Sequence, residues 1–115
     1  MNNVHKLNHD IIEIMENYMA RVRPTPEIRN RIDLGYEIEN QSVILNEIRS
    51  FWNDPSRIIT SGYAKATYVR HKNIWKIYWK RADNKWHLYQ PSPSVERLED
   101  FLRIVYEDKR GCFMG

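Results

Sequence analysis

Between Tyr63 and Tyr89 the chain carries seven of its eighteen Lys and Arg residues and one of its fifteen carboxylates, Asp83. The same stretch holds Trp75, Trp79 and Trp86, three of the four tryptophans, and four of the seven tyrosines. It is therefore +6, against −3 for the remainder and +3 for the whole. Basic side chains interleaved with aromatics could neutralise phosphates while their rings stack on unpaired bases. Strand alternation narrows the set. Trp75, Ile77 and Trp79 would share one face, and Lys76, Tyr78 and Lys80 the other. With Asp83-Asn84 as a two-residue turn, Tyr78 falls opposite Tyr89 and Trp79 opposite Leu88. Trp86 and Leu88 then join the core face, and His87 and Tyr89 the outer one. A two-residue turn at Lys72-Asn73 adds Lys65, opposite Lys80. The candidate polyanion-binding residues are Lys65, Lys76, Tyr78, Lys80, His87 and Tyr89.

Three other groups could do chemistry, and each has a plainer reading. His5, His9 and Glu13 recur every four residues on one helical face, a spacing that suits a divalent metal. That face lies opposite the apolar stripe, so a hydrated surface without metal is expected. Glu37, Glu39 and Glu47, with Arg49 nearby, are raw material for a small metal-dependent hydrolase or nuclease. Glu37 and Glu39 alternate with Tyr36 and Ile38, however, which suits a solvated sheet equally well. Cys112 follows a helix end of unfavourable polarity for a thiolate, so a small buried thiol is expected. There is no phosphate-cradling glycine loop and no Gly-x-Ser-x-Gly elbow. The weight falls on a binding or interaction module without catalytic residues or cofactor, rather than on an enzyme.

The elements that must position these residues follow from periodicity. Leu7, Ile11, Ile14, Met15, Tyr18 and Val22 form one stripe of a helix over 4–22, which Pro24 and Pro26 end. Strands are expected at 34–39, 42–49, 64–70, 74–80 and 85–89, with Asn40-Gln41 as a tight turn and 52–56 as a loop. Pro91-Ser92-Pro93 breaks the sheet. Ser94 is then placed to cap a helix reaching about Lys109, with Leu98, Phe101, Leu102 and Val105 inward. Gly111 fits the C-terminal cap, and Phe113 can fold back on the helix end. The fold class is α+β: a five-stranded antiparallel meander with an N-terminal and a C-terminal helix on one face.

Several of these segments resemble a small bacterial family, domain of unknown function 3024. They are Pro26-Glu27-Ile28-Arg29, Gly35-Tyr36-Glu37-Ile38, Trp52-Asn53-Asp54-Pro55, Ala64-Lys65 and Thr67-Tyr68-Val69. The tryptophan hairpin is similar too, from Trp75-Lys76-Ile77-Tyr78-Trp79 through Arg81-Ala82-Asp83 to Lys85-Trp86-His87-Leu88-Tyr89, as is Gly111-Cys112-Phe113-Met114-Gly115. The resemblance implies a compact bacterial domain and carries no catalytic residues with it.

At 115 residues the chain is expected to form one domain, 1–115. It is long enough to bury a core without staples. One cysteine leaves no intrachain disulfide, and no apolar run spans a membrane, so a cytoplasmic protein with no membrane partner is expected. The outer face, if it takes a ligand, is expected to take single-stranded nucleic acid or another polyanion. The competing readings are a merely solvated face and self-pairing, which three lysines near a two-fold axis would oppose.

Overall fold

A computed structural model describes the backbone of residues 4–114 and the side chains of residues 10–114. Helix α1 covers Val4–Val22, strands β1 to β6 follow at Ile32–Glu39, Ser42–Phe51, Asp54–Val69, Ile74–Lys80, Trp86–Leu88 and Ser94–Val95, and helix α2 covers Leu98–Glu107. The strands form an antiparallel sheet in the order β1-β2-β3-β4-β5. The short β6 pairs with the same edge of β4 as β5 does, further along. Both helices pack on one side of the sheet, as the apolar stripes require.

The core lies between sheet and helices. Met15 and Phe101 are fully buried against Val43, Leu45, Ala64, Ala66 and Ile77, every second residue of β2, β3 and β4. The two alanines at the sheet centre leave room for the large helix residues to approach, an alternation that fills an interior to native density. Trp75 is 5% exposed and packs against Tyr68 with ring centres 5.1 Å apart and planes tilted by 50°, whereas Trp79 is half-buried against the core. Tyr36 tethers β1 to α1 by donating its hydroxyl to Glu16 Oε2 at 2.6 Å.

The structure departs from expectation at the connections. Residues 52–56 are not a loop: Trp52-Asn53 is a two-residue turn, and β3 begins at Asp54. Asp54 still bonds the amide and hydroxyl of Ser56, which accompanies the irregular pairing at Pro55-Ser56-Arg57. Residues 52–61 are exposed throughout, so the end of the β2–β3 hairpin is an arm beyond the reach of the helices. Ser94 does not cap α2; it joins β6, and Arg97 occupies the cap position without a side-chain bond to the helix amides. At the other end Asp108 (φ 42°) is the left-handed cap of α2, and Gly111, expected in that place, turns left-handed (φ 64°) three residues further on. The Asp108 carboxylate accepts the amides of Phe113 (3.1 Å) and Met114 (2.9 Å), folding Phe113 onto Tyr89 at 4.9 Å. Cys112, expected buried, is half-buried beside this fold-back.

Candidate polyanion-binding face

The turn between β4 and β5 decides which aromatic residues face outward. It has three loop residues, Ala82-Asp83-Asn84, closed by the Arg81 amide donating to the Lys85 carbonyl at 3.2 Å. Asn84 adopts φ 63°, and its amide donates to the Arg81 carbonyl at 2.8 Å. This is the geometry of a three-residue hairpin ending in a left-handed residue. Asp83 holds it by accepting the Lys85 amide at 2.9 Å and contacting His87 Nε2 at 2.8 Å. Those bonds, the amide first and the imidazole next, lower the Asp83 pKa.

Compared with a two-residue turn, the register moves by one: Tyr78 pairs with Leu88, Trp79 with His87 and Lys80 with Trp86. A one-residue slip turns every side chain of the strand over. Trp86 and Leu88 therefore face outward, and His87 and Tyr89 face the helix side, contrary to the assignment from a two-residue turn. Tyr89 is 4% exposed and belongs to the core. Burial raises its pKa. His87 borders a hollow of about 210 Å³ that Trp79, Arg81, Tyr89 and Cys112 also line. The β3–β4 turn is likewise longer than two residues, spanning 70–73, with Lys65 opposite Tyr78 and Thr67 opposite Lys76. That shift is by two, so Lys65 keeps its face.

The outer face thus brings together Lys65, Lys76, Tyr78 and Lys80 of the six expected residues and adds Trp86. Lys65 Nζ lies 5.1 Å from the Tyr78 ring centre and 5.0 Å from that of Trp86, and Lys80 Nζ lies 5.1 Å from Trp86. Ammonium groups over aromatic faces are attracted by the ring quadrupole. The rings also take water from Lys65: desolvation, with a smaller contribution from Lys80, lowers its pKa despite the opposing pull of Glu39. Trp86 approaches β3 closely beside a bulge. Leu45 pairs with Ala64 and Asn46 with Gly62, leaving Tyr63 as the extra residue. A Cβ on Gly62 would meet Trp86 Cζ2 at 3.1 Å and Ile44 Cγ2 at 3.0 Å. The glycine inside a strand was the available sequence signal, since such glycines mark bulges and close approaches.

The acidic residues do not converge. Glu37 and Glu39 lie on the outer face of β1, whereas Glu47, opposite Leu34, lies on the helix side with its Oε1 2.6 Å from Arg49 Nε. Among the described residues no three metal-ligating side chains cluster. The side chains of His5 and His9 lie outside the described residues. The groove between the helices, about 620 Å³, sets Arg21, Arg97 and Arg103 among Glu13, Glu99 and Asp100, so its charges balance. No helix of the described chain is long and apolar enough to cross a membrane.

A family model described as Domain of unknown function (DUF3024) matches residues 3–115. No curated protein and no solved structure matches the chain.

Proposed function

Because the chain belongs to the DUF3024 family, whose name assigns no activity, we propose a role from its own surface: a binding module whose open sheet face takes single-stranded nucleic acid. The observation that carries the reading is the cluster of Lys65 and Lys80 over Tyr78 and Trp86 on the face without helices. Lys76 adds a third cation one step along β4, next to Tyr78. Two rings set diagonally on neighbouring strands offer stacking platforms, worth about 1–3 kcal/mol per base, and the lysines meet the phosphates. An open sheet face without helices suits an extended strand better than a compact ligand, and stacking on rings is tolerant of base identity.

Fluorescence anisotropy of a labelled single-stranded oligonucleotide tests this. Binding is expected at low salt, weakening with a log–log slope of roughly −0.7 per phosphate contacted. Lys76→Ala with Lys80→Ala flattens that slope, whereas Tyr78→Ala with Trp86→Ala weakens binding and leaves most of the slope. Tyr89→Phe, a core change, leaves both alone. No binding at low salt overturns the proposal, as does unchanged binding by the Tyr78/Trp86 variant.

A further inference from the structure

The outer face is ordered in charge as well as in shape. Following the ladder pairs across the sheet, one row reads Glu39, Ser42, Thr67, Lys76 and the next reads Glu37, Ile44, Lys65, Tyr78. Carboxylates occupy the β1 edge, cations β3 and β4. Toward the arm the strip between them carries Ile48 and Ile58, paired with Thr60 and Ser50 on the same face, and Ile58 is 59% exposed. Reversed, the first row sets Glu on Lys and Ser on Thr, and the second sets Glu on the Tyr hydroxyl and Ile on the Lys stem. Among the described residues no ion pair includes Glu37, Glu39, Lys76 or Lys80.

We propose that this face pairs with a second copy of the chain about a two-fold axis parallel to the strands, running between β2 and β3. Such an axis keeps each row at its own level and reverses its direction. Glu39 then meets Lys76 of the second copy, and Glu37 meets its Tyr78 hydroxyl. Ile44 lies along the aliphatic stem of the second copy's Lys65, and Ile48 and Ile58 sit close to the axis. Lys65, the one of the three lysines beside the axis, directs its ammonium away from it, over its own Tyr78 and Trp86 rings. An axis across the strands would set acid on acid and lysine on lysine, so the charge order selects one of the two orientations. The strands of the two sheets run nearly alongside each other, as in aligned sheet packing, within about 30°. The area limits the strength. Four strands at about 4.8 Å and eight residues at about 3.3 Å give on the order of 500 Å² per copy. A standard interface takes about 800 Å² per partner. The dimer is therefore weak and concentration-dependent. It covers Lys76, Tyr78 and Lys80, so on the reading that this face takes nucleic acid, an oligonucleotide and the second copy compete for it.

Sedimentation velocity of the purified protein alone, over a concentration series, reads the association. The mass is expected to rise from 14.0 kDa toward twice that value. Glu39→Lys and Lys76→Glu each place like charges together twice per dimer, and each weakens association about tenfold or more. Mixing these two variants restores a dimer, because both contacts become Lys on Glu; so does the double variant carrying both changes. That rescue separates the contact from any effect on folding. A monomer at every concentration overturns the proposal, as does a dimer indifferent to the single changes or a mixture that fails to recover. The measurement uses no nucleic acid, so its failure and that of the oligonucleotide titration are distinct.

Discussion

Gly62 illustrates how much the candidate site depends on an atom that is not there. Its Cα supports the Trp86 ring, and any Cβ would press on Trp86 and Ile44. Gly62→Val is expected to cost about 1–3 kcal/mol as an overpacking change. It should also tilt Trp86 away from Lys65 and Lys80. Urea denaturation checks the first effect, and a shift of tryptophan emission at unchanged secondary structure checks the second. Residue identity alone made the lysines legible, because Lys65, Lys76 and Lys80 keep one face under either turn length. The partner rings were not legible. Tyr89 and Trp86 exchange faces with one added loop residue, and both side chains are amphipathic enough to suit either side.

At the scale of elements, the turns decided what periodicity left open. The strand pattern placed Trp75 inward whatever the register, and Trp75→Ala should cost about 3–5 kcal/mol in urea or heat. Trp79, half-buried at the sheet margin beneath Arg81, should cost less. The β4–β5 hairpin rests on a left-handed residue, Asn84, that a branched side chain resists. Asn84→Val is expected to lose about 1–2 kcal/mol, whereas Asn84→Gly should be close to neutral. The same pair of variants, compared for stability by urea denaturation, tests the three-residue turn itself. Asp-Asn reads equally well as a two-residue turn, and the bonds from Asp83 to Lys85 and His87 that favour the longer one appear only with the backbone in place. The α2 boundaries were blurred for a related reason: Ser94 found a strand partner in β4 before it could serve a helix.

For the whole molecule, the arrangement of helices over one sheet face follows from apolar spacing, and it has a titratable signature. Burial pushes the Tyr18 hydroxyl up to about 12, and burial followed by the Glu16 bond does the same for Tyr36. Both phenols are therefore held neutral in the fold. Their contribution is fully present below the ordinary value of 10.0 and is lost as pH rises toward 12. Thermal unfolding followed from pH 9 to 12 should show that loss, and Tyr18→Phe should reduce it. The molecule extends 49 Å along its longest axis and 22 Å along its shortest. Its arm places Trp52 at 85% exposure and leaves Arg57 in a stretch that supplies nothing to the core. A protease cutting after Arg57 would divide the chain into halves of 57 and 58 residues. One half would hold α1, β1, β2 and the first four residues of β3, and the other the rest of β3, β4 to β6 and α2. The ladder from Ser42–Leu45 to Ala64–Thr67 and the buried contacts of both helices would still join them. A nicked sample should elute as a single intact particle and come apart only in denaturant, so the two halves, produced separately, should reassemble as a split protein.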